Sequence, residues 1–483
     1  MTAARGTFLL LAAEAAFVAS GWVIHVGSKR VLGLELYGVF GILLSLLTNY
    51  RIFLATGVNR AVARYIAETP DRARAVRDAA LRIQLFLGLA LGAAVWFLAP
   101  ILSRFWHDPA LAGYIRLSAF FLPLFGLYSV FRGVLNGFRL FSREAAVSMI
   151  YSLLKVALLF ALIFSLKVYG AIGGYLGAVA CATVLAGFLA PAPDGSGGPF
   201  PAGKLVAFAA PVVLFSFTVS LIQHADLYFV RALAPDPGPA AGYYTCAQQF
   251  ARIPYMLLYA LSLTLFPTIA ARSRDREAVR RTLRTWVRWG LILSLPAAAL
   301  IGAAADGLAA WVYGTDSLPA GAPLRVLVFG QTALAFLFLL ASALAADGAP
   351  WTAFILVGGT LAADTALCAL LVPARGTLGA AAATALACAG GLGAAWAAAG
   401  RRLGNPAGWA TARRTLLAAA VAGGGAAAIA PRGWLLLVVL PALGGAAAAV
   451  LAATGEVDRK DLAMLASLFV RGKKPAAQPE VFP

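Results

Sequence analysis

Charge is what this chain has least of. Only 20 of its 483 residues are Asp or Glu, and charged residues of both signs make up 12% of the total. A soluble domain carries about a quarter charged residues, so a water-facing surface is excluded over most of the length. Histidine occurs three times and cysteine four times. His25, His107 and His224 lack metal-ligand spacing, and Cys181, Cys246, Cys368 and Cys388 stand far apart inside apolar stretches. That excludes a zinc site and a disulfide framework. The cysteines read as small buried hydrophobes, and His25 and His107 as interfacial residues. The chain holds no nucleophile elbow, P-loop or paired catalytic carboxylates, so no enzyme chemistry is called for. Long polar segments are missing too, and with them any separate soluble domain.

What is present is apolar. Hydrophobic residues make up 61% of the chain and the mean hydropathy is +0.84. About 20 apolar residues cross a bilayer as a helix, and such stretches recur almost throughout. The expected class is an all-α polytopic membrane protein. Fourteen spans are expected, near 7–28, 36–56, 80–103, 114–136, 145–166, 169–191, 204–231, 241–267, 285–305, 323–346, 350–372, 377–399, 412–430 and 433–453. The first is too long, and too soon followed by another, to be a cleaved signal peptide.

The net charge of +19 does not indicate nucleic acid, because the basic residues are scattered between apolar spans. With the N-terminus placed inside, the alternate loops and ends hold 26 Lys and Arg against nine on the other side. Short cytoplasmic loops collect such residues, so both termini are expected in the cytoplasm and the protein in the cytoplasmic (inner) membrane.

An internal repeat is also visible. Ala75-Val76-Arg77 matches Ala278-Val279-Arg280, Gly170-Ala171-Ile172-Gly173 matches Gly376-Thr377-Leu378-Gly379, and Arg116 matches Arg325. Six helices repeating as six give two lobes in the same orientation, with a substrate site between them. The expected division is an N-lobe over 1–198, a C-lobe over 199–402, an extra helix pair over 403–454 and a cytoplasmic tail over 455–483. Leu462, Leu465 and Phe469, followed by Arg471, Lys473 and Lys474, make the tail an interfacial helix.

Four basic residues fall inside the spans: Arg51, Arg132, Lys155 and Arg252. An Arg at a helix centre costs at least about 2.5 kcal/mol, so each needs a partner or a wet cavity. Each lies on a polar stripe. Arg252 shares a helix face with Gln248, Gln249, Tyr255 and Tyr259, Arg132 with Tyr128, Ser129 and Asn136, Lys155 with Ser148, Tyr151 and Ser152, and Arg51 with Ser45 and Thr48. Such stripes are expected to line a cavity. The structural alternative is that Arg51 or Arg132 snorkels, or that Glu14 neutralises Arg51. Asp226 and Asp364, with hydroxyls such as Thr360, are expected to hold a sodium ion or carry a proton, the alternative being salt bridges to Arg231 or Arg375.

Leu36-Tyr37-Gly38-Val39-Phe40, Tyr65-Ile66-Ala67-Glu68, and Asp226-Leu227-Tyr228-Phe229-Val230-Arg231 followed by Gly242-Tyr243-Tyr244, Pro254 and Leu265-Phe266-Pro267 occur in the order found in one family. Over nearly its whole length the chain resembles the polysaccharide flippases of the multidrug/oligosaccharidyl-lipid/polysaccharide exporter superfamily, which are related to O-antigen and lipid II flippases. The resemblance implies a V-shaped cavity that works by alternating access on a polyprenyl-pyrophosphate-linked saccharide. Arg51 and Arg252 stand where the lipid II flippases keep cavity arginines on helices two and eight. The helix-one arginines of those relatives have no counterpart here, and Glu14 and His25 occur instead. Some relatives bind sodium between helices seven, eleven and twelve, where this chain offers Asp226, Thr360, Asp364 and Thr384.

The expected function is therefore translocation of that glycan-lipid from the cytoplasmic to the outer leaflet. Arg51, Arg132, Lys155 and Arg252 would hold the pyrophosphate, with Gln248, Gln249, Tyr255 and Tyr259 facing the sugars. A monomer is expected, with membrane lipid and the lipid-linked glycan as partners and no cofactor beyond sodium or a proton. Two readings compete. A cation-coupled multidrug exporter needs a carboxylate-rich cavity, and a membrane glycosyltransferase needs a large catalytic loop.

Overall fold

The computed structural model describes residues 3–191, 198–271, 275–458 and 461. Its helices are α1 (Ala3–Ala55), α2 (Val58–Glu68), α3 (Ala73–Phe105), α4 (Ala110–Ala119), α5 (Phe121–Gly137), α6 (Phe141–Leu189) and α7 (Ala202–Leu233). They continue as α8 (Pro237–Ala271), α9 (Arg276–Ala303), α10 (Ala305–Tyr313), α11 (Gly321–Ala346), α12 (Pro350–Leu403), α13 (Trp409–Ile429) and α14 (Leu436–Ala453). Short 3-10 turns lie at Pro70–Arg72, Thr315–Ala320 and Gly433–Leu435. No strand occurs among the described residues. Nine helical stretches among those residues are long and apolar enough to cross a membrane. The protein is an all-α polytopic membrane protein.

Three of these helices reverse within their length. Each holds one residue off the helical backbone: Gly33 in α1 (φ 75°, ψ 175°), Lys167 in α6 (φ 49°, ψ −124°) and Gly376 in α12 (φ 53°, ψ −131°). The chain folds back at each, which is why His25 meets Tyr37 at 2.8 Å, twelve residues away. The turns of α6 and α12 have nearly the same backbone angles. Three residues beyond each, a glycine on the returning arm lies against the first arm: Gly170 on the Leu162 carbonyl and Gly379 on the Leu371 carbonyl, with no room for a Cβ. In this comparison Gly170 therefore corresponds to Gly379, a register three residues away from the sequence match of Gly170 with Gly376.

Lys167 stands where its counterpart is glycine. Positive φ at a residue with a Cβ costs on the order of 1–3 kcal/mol. Lys167→Gly is accordingly expected to raise the detergent-solubilised protein's thermal midpoint, by about 1 kcal/mol of stability, and Gly376→Lys to lower it. A midpoint that falls in Lys167→Gly would contradict the assignment of strain.

Small residues set the helix spacing. Gly88 lies on Pro123, Gly133 on the Asn59 carbonyl and Val62, and Gly330 on Ala385, each close enough that a Cβ would overlap its neighbour. Such contacts replace the hydrophobic driving force that lipid removes. The outer pair α13 and α14 packs on α9, where Ala418, Ala422, Ala447 and Leu451 cover Trp289 and Ile292. α2 continues the chain from α1 as an amphipathic helix. It buries Val58, Ala61, Val62 and Ile66 and leaves Arg60 and Arg64 outside.

Several of the few acidic residues are buried clasps. Asp347 takes Arg276 at 2.7 Å and Arg402 at 2.8 Å, tying the start of α9 to the end of α12. Glu456 takes Arg288 at 3.0 Å, Arg414 at 3.1 Å and the Thr411 hydroxyl at 2.9 Å, fixing the chain after α14 to α9 and α13. Each would be costly to bury alone and is retained because it is paired. The expected tail helix, with Leu462, Leu465, Phe469, Arg471, Lys473 and Lys474, lies outside the described residues. Cys246, Cys368 and Cys388 are buried as expected, but Cys181 is exposed on the apolar flank of α6.

Candidate functional site

The first and second halves of the chain meet along a seam between α1 and the helices α7 and α8. After its reversal α1 runs beside α8 with glycine against glycine. A Cβ on Gly38 would lie 2.6 Å from the Gly242 nitrogen, and one on Gly41 would overlap the Thr245 side chain. At this end Lys29, buried, donates to the Asp316 carboxylate at 2.5 and 2.7 Å and to the Tyr313 carbonyl at 2.5 Å. Arg231 bonds Asp108 at 2.6 Å, and the Trp106 indole donates to the Tyr228 carbonyl at 3.2 Å. Further along, the Tyr228 hydroxyl accepts from Ser45 and Asn49, both at 2.9 Å, and Ser220 donates to Asn49 at 2.6 Å. The Lys29 end is therefore shut by close backbone packing, two ion pairs and a polar network.

Beneath this closure lies a polar cavity. His25, Ser45 and Thr48 line it from α1, His224 from α7, and Thr245, Gln248, Gln249 and Arg252 from α8. No carboxylate lines it. His25 was expected at an interface. The reversal at Gly33 instead turns its ring into the cavity, where it bonds Tyr37. His107 is exposed in a turn at the end of α3.

The four basic residues of the spans have different surroundings. Arg252 donates to the Gln223 carbonyl at 2.8 Å, while its Nε is buried without a partner. The Arg51 guanidinium lies 4.7 Å from the centre of the Phe17 ring. Glu14 is exposed, and the alternative in which it neutralises Arg51 finds no ion pair among the described residues. Lys155 is 2% exposed and has no ion pair among them. Its ammonium is enclosed by Phe17 at 4.2 Å and by Tyr151 and Tyr175, both at 5.8 Å. Arg132 differs from the other three, since it donates to Glu144 at 2.8 Å. That buried carboxylate from the start of α6 neutralises it, so Arg132 is a structural partner rather than a free anion ligand.

Gln248 also has a partner already, donating to Asp226 at 2.8 Å. Tyr255 and Tyr259 stack on one another with centroids 5.9 Å apart, and Tyr259 also meets Phe338. Only Tyr259 presents a large exposed surface.

Asp226 is fully buried. It accepts from the Tyr244 hydroxyl at 2.7 Å, Gln248 at 2.8 Å, the Leu227 backbone at 2.8 Å and Thr384 at 3.4 Å. It does not bond Arg231, which Asp108 has taken. Asp364 sits near Asp226 on the first arm of α12, and its Oδ2 is buried without a partner. Thr360 lies one turn earlier on the same arm, and Thr384 comes from the returning arm. The fold thus brings Asp226, Asp364 and Thr384 together, Thr384 lying 158 residues from Asp226 in sequence, whereas the Thr360 hydroxyl donates to the Leu356 carbonyl of its own helix at 2.8 Å. An orphaned carboxylate oxygen among hydroxyls suits a small hard cation, or a proton on Asp364 itself.

Sequence reading missed Phe17, His25, Glu144 and the Tyr228–Asn49–Ser220 network. Glu144 follows Arg132 at a spacing that could have flagged it. Phe17 gave no signal, because an aromatic residue on an apolar helix is ordinary.

A family profile described as polysaccharide biosynthesis protein matches residues 29–320. No curated protein is similar in sequence. Among solved structures the chain resembles the lipid II flippase MurJ in an inward-closed conformation, with a TM-score of 0.74 and 12% identity over 97% of this chain and 99% of that one. It also resembles an inward-facing multidrug-resistance MATE transporter of the MOP superfamily (0.69, 13%, 81% and 95%). A eukaryotic MATE transporter, AtDTX14, is similar too (0.61, 14%, 81% and 94%). At such identities these likenesses establish the fold. With the family profile spanning more than half of its length, the chain belongs to the polysaccharide biosynthesis protein family of membrane proteins.

Proposed function

We propose that this protein is a flippase, not an enzyme, and that it moves a polyprenyl-pyrophosphate-linked saccharide from the cytoplasmic to the outer leaflet by alternating access. The observation that carries the reading is the group Arg51, Lys155 and Arg252. These are three cations without an ion-pair partner among the described residues; Arg252 lines a polar cavity that no carboxylate lines, and Arg51 and Lys155 share the Phe17 ring. Guanidinium groups away from bulk water bind a diphosphate strongly. The cavity's carboxamides and hydroxyls suit a sugar, and the polyprenyl chain stays in lipid. A cationic drug would meet like charge, which disfavours the exporter reading. The test is flipping of a labelled polyprenyl-pyrophosphate saccharide in proteoliposomes.

The proposal includes the topology. The Lys29 end faces outward and both termini face the cytoplasm of the inner membrane. Fourteen spans form two six-helix lobes, with α13 and α14 outside the repeat and α8 and α13 both counted as spans. The protein works as a monomer.

Coupling belongs to Asp226 and Asp364. Asp364→Asn is expected to remove the dependence of flipping on a sodium or proton gradient, with glycan-lipid binding unchanged. Gradient-dependent flipping by this variant would remove the pair from the mechanism.

A further inference from the structure

We propose that Phe17 is the positioning residue of the anion site, with its ring serving as the shared platform that holds Arg51 and Lys155 ready for one diphosphate. This rests on the flippase reading. The Arg51 Cζ lies 4.7 Å and the Lys155 Nζ 4.2 Å from the centre of the same ring. The two cations are therefore within about 9 Å of each other. They come from separate helices, α1 and α6, and neither is neutralised by a carboxylate among the described residues.

Two like charges at that distance repel, and a flexible Lys or Arg stem would ordinarily carry one of them away to water. The electron-rich faces of an aromatic ring attract both. Tyr151 and Tyr175 complete the enclosure of Lys155. Phe17 is half-buried and has no polar atom. It contributes its π-system and its position, and an aliphatic side chain of similar size offers only the second.

The arrangement also bears on selectivity. A bridging diphosphate satisfies both cations together and replaces the ring as their counterpart, while a single phosphate satisfies one. Phe17 thus favours a diphosphate-linked lipid over a monophosphate-linked one.

The variants are Phe17→Leu, which keeps bulk without a ring, and Phe17→Tyr, which keeps the ring. Binding of inorganic pyrophosphate and of phosphate to purified protein is read beside flipping in proteoliposomes. Phe17→Leu is expected to weaken pyrophosphate binding about tenfold while changing phosphate binding little, and Phe17→Tyr to restore it. A structural role alone would weaken both ligands alike. Equal losses for the two anions, or wild-type pyrophosphate binding in Phe17→Leu, would overturn the inference. If the wild-type protein does not flip the glycan-lipid, the flippase reading itself falls; if Arg51→Ala/Arg252→Ala flips it normally, the anion site falls and the role of Phe17 with it. If that double variant is dead while Phe17→Leu behaves as wild type, only the role of Phe17 falls.

Discussion

The Arg51→Ala/Arg252→Ala double variant is expected to flip the labelled glycan-lipid about a hundredfold or more below the wild-type rate at matched insertion. Each charge-assisted contact to the diphosphate is worth roughly 1.5–3 kcal/mol, or about ten- to a hundredfold in binding. The two arginines come from opposite halves of the chain, so losing both also removes the anion's power to draw those halves together. Arg252→Lys is expected to be defective as well, because an ammonium lacks the forked donor geometry. Arg325→Ala is the control. Its bond to Asp306 joins two half-exposed side chains, and such pairs contribute at most about 1 kcal/mol. Near-normal flipping by the double variant would show that these arginines do not hold the diphosphate.

A comparably large effect is expected at the seam. Gly38→Val puts a branched side chain where a Cβ alone would lie 2.6 Å from the Gly242 backbone. Overpacking of this kind costs about 1–3 kcal/mol, enough to shift a two-state balance roughly ten- to a hundredfold away from the closed seam. Native Cys246 is the reporter, since it is fully buried and follows Thr245, which Gly41 abuts in the closed seam. With Cys181, Cys368 and Cys388 replaced, Gly38→Val is expected to expose Cys246 to a membrane-impermeant thiol reagent added outside, and to stall flipping. An unlabelled Cys246 in a stalled variant would show that the seam is not the outer gate.

The helical class and most span positions were legible in the sequence, because apolar runs long enough for a bilayer have few other uses. The reversals were partly legible. Gly33 and Gly376 stand at their turns, whereas Lys167 takes the same backbone without glycine and reads as an ordinary loop cation. The polar stripes singled out Arg252 and Arg51, but a stripe cannot say what faces it. Arg132 and Lys155 look alike in sequence. Glu144 meets one and a box of aromatic rings the other, and only the packing of α1 and α5 against α6 decides which. His25 was misplaced for a similar reason, since its depth depends on how α1 folds back on itself.

On the flippase reading, the three cations that have no ion pair among the described residues also have an electrical consequence. An empty cavity of this kind carries positive charge into the membrane's field, while a bound diphosphate cancels most of it. For a cell interior at negative potential, each charge moved through the full field is worth about 2.3 kcal/mol per 100 mV. The unloaded carrier is then drawn toward its cytoplasm-facing state, and the loaded one turns nearly free of that bias. Voltage would drive the return stroke rather than the delivery, adding to any drive that the Asp226–Asp364 pair takes from an ion gradient.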